Sequence, residues 1–163
     1  MNYPILQAEE NEYYLNRNYK EEESRAGSIF MDYRNDIQSS DRHTVLYGHN
    51  MKDGSMFGDM DKFLEQTYFQ EHQQVFFDTL YESYDVELFS VYQTTTDFYY
   101  IETDFPDDNT YQAFLDEIQG KSSVETNVEV STEDQIITFS TCDYFLSPDE
   151  GRLVIHGKLV KKE

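Results

Sequence analysis

Seven short stretches rich in β-branched and aromatic residues run through this chain of 163 residues, and they constrain its fold more than any other feature. Such stretches, bounded by polar or turn-forming residues, are typical of β-strands. Along Val86–Tyr92, alternate residues are expected to face opposite sides, which is typical of a sheet with one buried and one solvated face. The predicted strands are Tyr3–Leu6, Ser28–Met31, Thr44–Tyr47, Val75–Thr79, Val86–Thr94, Ile136–Thr141 and Arg152–Val160.

Two further stretches have helical periodicity. From Thr110 to Gly120, apolar residues recur at positions i, i+3, i+4 and i+7, with Thr110 as the candidate N-cap and Gly120 at the C-terminal end. The stretch Asp59–Thr67 places its apolar residues on one face, with Asp59 as the candidate cap. Because strands outnumber helices and do not alternate with them, we predict a mainly β fold. It is expected to be a mostly antiparallel β-barrel with helical insertions rather than a doubly wound parallel sheet.

The charge balance excludes several classes of function. The chain contains 33 Asp and Glu against 12 Lys and Arg, and the formal net charge of −21 disfavours nucleic-acid phosphates and anionic membrane surfaces as partners. Aromatic residues make up 16% of the chain, which argues against an acidic disordered tail. We find no apolar run long enough for a transmembrane helix and no signal-peptide pattern. With 7 Gly, 3 Pro and no repeat or linker, residues 1–163 are interpreted as one domain.

The single cysteine, Cys142, excludes an internal disulfide, a cysteine-based zinc finger and a CxxC redox pair. It directly follows the predicted strand Ile136–Thr141, so its thiol can project into a cleft from a rigid support. Arg152 opens the next predicted strand, after the turn-forming loop Asp143–Gly151. If the two strands are neighbours, Cys142 and Arg152 lie close together. The spacing alone favours a buried, unreactive thiol over a nucleophile.

Of the four histidines, His49 has the placement of a site residue, because it follows a predicted strand and a glycine that lets the backbone turn. His43 lies beside charged residues and is interpreted as part of a loop, and His72 as a solvated surface residue. His156 shares strand parity with Arg152, so it either faces a cleft or is a hydrogen-bonded residue of the barrel wall. The sequence contains no metal-binding motif and no glycine-rich phosphate loop, so we predict no metal and no other cofactor.

Several blocks of sequence together resemble those of the class B sortases of Gram-positive bacteria, and the resemblance covers nearly the whole chain. The most specific combination is Tyr47-Gly48-His49-Asn50-Met51, then Ser140-Thr141-Cys142, then Arg152. The resemblance implies a sortase-type, eight-stranded closed β-barrel with an extra helix between strands six and seven, and Thr110–Gly120 fits that helix. The blocks are Asn2–Gln7, Tyr13–Asn16, Gly27–Asn35, Thr44–Met51, Ser140–Cys142 and Arg152–Leu159.

The resemblance also implies a role for individual residues. Cys142 matches the nucleophile of a cysteine transpeptidase, His49 the catalytic histidine and Arg152 the essential arginine. The implied reaction cleaves a C-terminal sorting signal through a thioacyl enzyme and transfers the surface protein to an amino group of the peptidoglycan precursor. The groove that binds the sorting signal is expected to be lined by Asn11, Leu15, Tyr47, Thr96, Tyr100, Ile101 and Ser140.

The resemblance places such an enzyme on the extracytoplasmic face of the cell membrane, held by an N-terminal helix that we expect to be absent from this sequence. Three alternatives stay open. A class B sortase can polymerise pilin by using a substrate lysine as the acceptor, a sortase fold can be an inactive binding module, and a cysteine protease would transfer the acyl group to water. The joint presence of Cys142, His49 and Arg152 argues against the inactive module.

Overall fold

One mixed sheet of seven strands dominates the computed structural model. The structure describes residues 1–142 and 149–163, and at position 142 it describes only the backbone. All seven predicted strands are present, and their ends differ from the prediction by at most three residues. The mainly β architecture with helical insertions is therefore confirmed. The strands are β1 (Ile5–Leu6), β2 (Ile29–Met31), β3 (His43–Tyr47), β4 (Gln74–Asp78), β5 (Ser83–Thr95), β6 (Gln135–Cys142) and β7 (Gly151–Lys161).

The strands are hydrogen-bonded in the order β1-β2-β3-β6-β7-β5-β4, which puts β6 and β7 near the centre of the sheet. The pairs β1–β2 and β3–β6 are parallel, and the other four pairs are antiparallel, as the prediction of a mostly antiparallel sheet requires. The resemblance implied eight strands in a closed barrel, whereas the described residues contain seven, with β1 and β4 at the edges. Most of the predicted loop Asp143–Gly151 lies outside the described residues.

The helix α2 (Asp108–Gly120) forms where the apolar periodicity predicts it, and it lies between the fifth and sixth described strands. Its cap is Asp107 rather than the predicted Thr110, because the Asp107 carboxylate accepts a hydrogen bond from the Thr110 amide at 2.7 Å. A carboxylate at this position also interacts favourably with the helix dipole. The buried face of α2 is formed by Tyr111, Phe114, Leu115 and Ile118.

The other predicted helix, Asp59–Thr67, is divided in the structure. A 3₁₀ helix spans Met60–Leu64 and is followed by the short helix α1, Gln66–Glu71. Asp59 occupies the N-cap position, but its side chain pairs with Lys62 at 3.2 Å instead of capping the helix. Another 3₁₀ helix spans residues 13–16. Among the described residues, no helix is long and apolar enough to cross a membrane.

Strand β5 is buried on both faces along its middle, which corrects the prediction of one solvated face. Leu88 and Val91 belong to one apolar cluster, whereas Phe89 and Tyr92 pack in a second cluster with the buried face of α2. The predicted parity is also wrong, because a β-bulge between Leu88 and Ser90 shifts the register against β7. Leu88 therefore shares a face with Val91 and not with Tyr92.

Candidate active site

The predicted catalytic residues lie at or just beyond the ends of three neighbouring strands, β3, β6 and β7. In the parallel β3–β6 pair, Tyr47 is the partner of Ser140, and in the antiparallel β6–β7 pair, Cys142 is the partner of Arg152. His49 lies two residues beyond Tyr47, and Cys142 lies two residues beyond Ser140 in the same direction. Cys142 and Arg152 are therefore partners on neighbouring strands about 4.8 Å apart, and His49 lies just beyond the end of β3, the strand on the other side of β6.

Gly48 keeps the chain beside β6 as it leaves β3. Its amide donates a hydrogen bond to the carbonyl of Ser140 at 3.2 Å, which extends the contact between the two strands beyond Tyr47. A side chain at Gly48 would place its Cβ 2.5 Å from Ile29 Cδ1 and 2.8 Å from Phe57 Cδ2. Only glycine lets the backbone pass this close to the core, so the glycine before His49 is a steric requirement.

His49 is half-buried and is oriented by the backbone of the N-terminal segment. Its Nε2 lies 2.5 Å from the carbonyl oxygen of Leu15, which belongs to the 3₁₀ helix of residues 13–16. A carbonyl oxygen can only accept a hydrogen bond, so Nε2 carries a proton and donates. The contact thereby assigns the tautomer of the neutral ring and leaves Nδ1 as its basic nitrogen.

Arg152 is the second residue of β7 and lies between two partner strands. Its backbone pairs with Cys142 on β6 and with Thr94 on β5. Its Nη1 donates hydrogen bonds to the carbonyl oxygens of Asp149, at 3.2 Å, and Gly151, at 2.8 Å. These two contacts hold one edge of the guanidinium group against the chain that leads into β7.

Two predicted groove residues lie on opposite sides of the predicted catalytic residues. Leu15 lies on the side of His49, because its carbonyl oxygen holds the histidine ring. Thr96 is exposed and lies on the side of Arg152, where its amide donates a hydrogen bond to the carbonyl of Glu150 at 3.0 Å. The structure therefore brings both residues to the edges of the candidate site, not to one shared cluster.

Ser140, two residues before Cys142 on β6, forms a buried hydrogen-bonded pair with Tyr100. The Tyr100 and Ser140 hydroxyl oxygens are 2.7 Å apart, and the two residues are 5% and 3% exposed, respectively. Tyr47, the β3 partner of Ser140, is half-buried and packs beside Phe30, with 5.3 Å between the centroids of the two tilted rings. Three of the predicted groove residues thus lie next to each other across β3 and β6.

The remaining predicted groove residues, Asn11 and Ile101, are joined by an ion pair that the sequence reasoning did not single out. The Asp32 carboxylate accepts a hydrogen bond from Asn11 Nδ2 at 3.0 Å and pairs with Arg34 Nε at 2.9 Å. Arg34 Nη2 in turn donates to the carbonyl of Ile101 at 2.8 Å. The available signal was an Asp two residues before an Arg, directly after the apolar strand β2.

Asp32 is held in its charged form. Burial alone would raise the pKa of this carboxyl group, but hydrogen bonds from Arg34 and Tyr47 outweigh that effect and lower the pKa to about 2. The same contact with Asp32 raises the pKa of the Arg34 guanidinium group. The aspartate–arginine pair, Asp32 and Arg34, is therefore ionised throughout the range in which a protein of this kind is studied.

His43 and His156 lie away from the candidate site. The interpretation of His43 as part of a loop is wrong, because His43 begins β3 and is fully buried. Its Nε2 lies 2.5 Å from Thr138 Oγ1, which lies 2.6 Å from His156 Nδ1, and His156 Nε2 lies 2.7 Å from the Tyr92 hydroxyl. His156 is thus a hydrogen-bonded wall residue. His72 is exposed, as predicted.

The described residues offer no group of three or more His, Cys, Asp and Glu side chains arranged to hold a metal ion. A cavity of about 660 Å³ lies elsewhere, lined by polar residues that include Gln73, Glu87, Asn127 and Lys158. It contains none of the predicted catalytic or groove residues, so it is separate from the candidate active site.

Comparison with known proteins decides the family. The family model for the sortase domain matches residues 1–160. The chain belongs to the sortase family. It is 50% identical to sortase B of Listeria monocytogenes serovar 1/2a (strain ATCC BAA-679 / EGD-e) over 162 residues, which is 99% of this chain and 66% of that protein. The chain thus spans just under two thirds of the length of this curated relative.

Solved structures of sortases have the same fold. A crystal structure of sortase B from B. anthracis in complex with AAEK1 is 58% identical, with a TM-score of 0.91 over 98% of this chain and 73% of that one. The Staphylococcus aureus sortase B–substrate complex is 41% identical, with a TM-score of 0.94 over 99% of this chain and 74% of that one. These relatives confirm the resemblance to the class B sortases, whereas the roles of individual residues stay predictions.

Proposed function

We propose that residues 1–163 form the catalytic domain of a cysteine transpeptidase that cleaves a C-terminal sorting signal and transfers the surface protein to an amino group of the peptidoglycan precursor. The observation that carries the proposal is the backbone register, which pairs Cys142 with Arg152 across β6 and β7 and ends β3 two residues before His49 on the other side of β6. Membership of the sortase family supports the same reaction type.

Cys142 is the proposed nucleophile. Its sulfur attacks the carbonyl carbon before the scissile peptide bond, and the thiol proton passes to His49. A C–S bond forms, the C–N bond breaks, and the departing amine takes up a proton. The product is a thioester between Cys142 and the N-terminal part of the substrate. An acceptor amine then attacks this thioester, forms a new amide bond and restores the thiol.

His49 is the proposed proton donor and acceptor. The departing amine is too basic to leave as an anion, so it needs a proton at the moment when the C–N bond breaks. Because Nε2 is held by the Leu15 carbonyl at 2.5 Å, Nδ1 is the ring atom available for this transfer. The same atom can take a proton from the incoming amine in the second step, which is the first step in reverse.

Arg152 is the proposed stabiliser of the negative charge that develops on the substrate carbonyl oxygen. A guanidinium group offers five N–H donors, and the contacts with Asp149 and Gly151 engage Nη1 alone. Fixed donors aimed at a developing oxyanion are often the largest contribution to catalysis of acyl transfer.

The partners and the location follow from the proposed reaction. The donor is a surface protein that carries a sorting signal, and we propose that the signal binds along the predicted groove residues between Asn11 and Thr96. The acceptor is an amine of the peptidoglycan precursor, which places the reaction on the extracytoplasmic face of the membrane. The N-terminal membrane helix implied by the resemblance stays a prediction.

Pilin polymerisation is the second candidate function, because it uses the same three catalytic residues. The two functions differ in the acceptor, which is a wall amine in one case and a substrate lysine in the other. Glycinamide and Nα-acetyl-lysine amide, which offers only its side-chain amine, therefore serve as paired acceptors. A clear preference for the lysine amine would favour polymerisation.

The test is transfer of a fluorescent sorting-signal peptide, chosen from a pentapeptide library, to glycinamide. We expect an acceptor-dependent amide product from the wild-type chain and none from Cys142→Ala. His49→Gln and Arg152→Lys should each lower kcat/KM by about 100-fold or more, since a proton donor or a forked oxyanion donor is lost.

The matched controls are His72→Gln and Arg25→Lys, which change the same residue types at exposed positions. They should retain the wild-type rate. Cleavage without any transfer to an amine would indicate a protease, and full turnover by Cys142→Ala would overturn the proposed function.

A further inference from the structure

The aspartate–arginine pair joins three chain segments that are distant in sequence and that each carry a predicted groove residue. Asn11 lies in the N-terminal segment, Tyr47 ends β3, and Ile101 follows β5. None of these three segments forms a strand pair with either of the other two. The hydrogen bonds that link them directly near the candidate site therefore involve side chains.

Asp32 supplies the contacts to the first two segments. Its side chain is 0% exposed, and its Oδ2 accepts hydrogen bonds from Asn11 Nδ2 at 3.0 Å and from the Tyr47 hydroxyl at 2.7 Å. Asn11 returns a second contact, because its Oδ1 accepts from the Tyr33 amide at 2.9 Å. One carboxylate thus links the N-terminal segment to the end of β3, in addition to the contact of His49 with the Leu15 carbonyl.

Arg34 supplies the contact to the third segment. Its Nε and Nη2 each lie 2.9 Å from an oxygen of Asp32, and its free edge reaches the chain after β5. Nη2 donates to the carbonyl of Ile101 at 2.8 Å, and Nη1 donates to the Tyr99 hydroxyl at 2.9 Å. Tyr100, between these two residues, is the predicted groove residue whose hydroxyl meets Ser140.

The turn that carries the pair is itself fixed against β3. The Asp32 amide donates to the carbonyl of Val45 at 2.9 Å. Asn35 Nδ2 donates to the carbonyl of His43 at 2.7 Å, and Asn35 Oδ1 accepts from the Val45 amide at 3.0 Å. Because the turn cannot shift along β3, the pair acts as a fixed point from which the groove residues are held.

We propose that Asp32 and Arg34 are positioning residues of the sorting-signal groove, which set the spacing of Asn11, Tyr47 and Ile101 and so determine how tightly the signal peptide binds. The proposal rests on the proposed function. It separates two tasks: the aspartate–arginine pair serves peptide binding, whereas His49, Cys142 and Arg152 carry out bond breaking and formation.

The test measures KM and kcat separately in Asp32→Asn, Arg34→Lys and Tyr99→Phe, with the pentapeptide that the wild-type chain turns over fastest. Lysine can still pair with Asp32 but cannot reach both Ile101 and Tyr99. We expect KM to rise about tenfold or more in Asp32→Asn and Arg34→Lys, because hydrogen bonds to a charged group are lost. In Tyr99→Phe, one contact is lost at a residue that is 53% exposed, so a smaller rise in KM is expected without any risk to folding.

Two readouts separate positioning from general loss of structure. In all three variants kcat should stay within about twofold of the wild type, because the catalytic residues are untouched and KM reports binding when chemistry is slow. The rate at which iodoacetamide alkylates Cys142 should also be unchanged. The control is Asp85→Asn, which removes the same charge from an ion pair with Lys162 at 3.3 Å on β5 and should leave KM unchanged.

The outcomes distinguish the two proposals. If the wild-type chain turns over no sorting-signal peptide, the proposed function fails and the positioning role fails with it. If the wild type is active and KM is unchanged in Arg34→Lys and Asp32→Asn, only the positioning role is overturned. Equal losses of kcat and of alkylation rate would likewise overturn it, since they would indicate a structural role.

Discussion

The two ends of strand β3 lie beside two polar networks of opposite character. At its start is the histidine network, formed by His43, Thr138, His156 and Tyr92, in which every member is at most 1% exposed. Near its end is the aspartate–arginine pair, in which Asp32 is 0% exposed but Arg34 is 26% exposed. The buried network is built for neutral side chains, and the network that reaches the surface is built for charges.

The hydrogen bonds explain why the histidine network is neutral. The Tyr92 hydroxyl donates to His156 Nε2, and His156 Nδ1 donates to Thr138. The Thr138 hydroxyl donates to His43 Nε2, and His43 Nδ1 donates to the carbonyl of Glu102 at 2.6 Å. Every donor meets an acceptor with both rings neutral, whereas a proton added to either ring would make the facing hydroxyl turn and accept, so that the hydroxyl proton would lose its present acceptor.

The aspartate–arginine pair, in contrast, is stabilised in its charged form. A buried carboxylate is costly unless it is paired and hydrogen-bonded, and Asp32 meets both conditions. Because one partner reaches solvent, the charges remain partly hydrated. This fold therefore places charge beside the candidate groove and excludes it from the histidine network beneath α2.

The largest expected difference between the two networks is the acid sensitivity of the histidine network. Burial lowers the pKa of His43 from 6.5 to about 4, so the unfolded chain takes up a proton in this interval before the folded chain does. Stability contributed by the neutral ring is therefore complete above pH 6.5 and is lost as the pH falls toward 4. The difference in free energy of unfolding between the wild type and His43→Gln should shrink by about 3 kcal/mol over this interval.

Chemical denaturation at several pH values between 7 and 4 measures this change. Comparison with His43→Gln cancels the contribution of the numerous carboxylates, and His72→Gln is the matched control for an exposed histidine. A constant difference between wild type and His43→Gln across the interval would mean that the network tolerates charge, and the contrast between the two regions would be lost.

The next effect concerns Asp32. Its pKa is lowered from 3.8 to about 2, so the stability it contributes is present above pH 3.8 and is lost as the pH falls toward 2. Asp32→Asn resembles the protonated form, and it should lower the free energy of unfolding at pH 7 by about 2 kcal/mol. Denaturation at pH 7 and pH 3 should show a smaller gap at the lower pH.

Asp85→Asn is the control, because its partly exposed ion pair with Lys162 should contribute less than about 1 kcal/mol. If Asp32→Asn were as stable as Asp85→Asn at pH 7, the aspartate–arginine pair would not differ from an ordinary surface ion pair.

The smallest effect separates the two networks by function. Tyr92→Phe removes the donor to His156 Nε2 and should lower the free energy of unfolding by about 1 kcal/mol, the ordinary contribution of one buried hydrogen bond. Because Tyr92 contacts none of the groove residues through this bond, KM for the sorting-signal peptide should not change. A rise in KM comparable to that of Tyr99→Phe would show that the histidine network also positions the groove.

The strands were predictable because each has a local signature of β-branched and aromatic residues. The bulge in β5 was not, since no glycine or proline marks it. His43 was misread for a related reason: its neighbours Asp41 and Arg42 are typical of a loop, while its partner Thr138 is 95 residues away in the sequence. Local composition carries no information about such a partner.

The candidate site was likewise only partly predictable from the sequence. The resemblance supplied His49, Cys142 and Arg152, and the parallel pairing of β3 with β6 explains why His49 and Cys142, far apart in sequence, both lie at the same end of two neighbouring strands. Asp32 and Arg34 lie within the block Gly27–Asn35, but the resemblance implied no role for them. Their partners Asn11 and Ile101 belong to other segments of the chain. Contacts between residues that are far apart in sequence were not predictable from local sequence patterns.

Intact-protein mass spectrometry with a sorting-signal peptide shows whether Cys142 carries the acyl group. We expect a mass increase equal to the acyl part of the peptide, located on Cys142 by fragmentation, lost on addition of glycinamide and absent in Cys142→Ala. Turnover of the peptide by Cys142→Ala at the wild-type rate, or an adduct on any other residue, would contradict it.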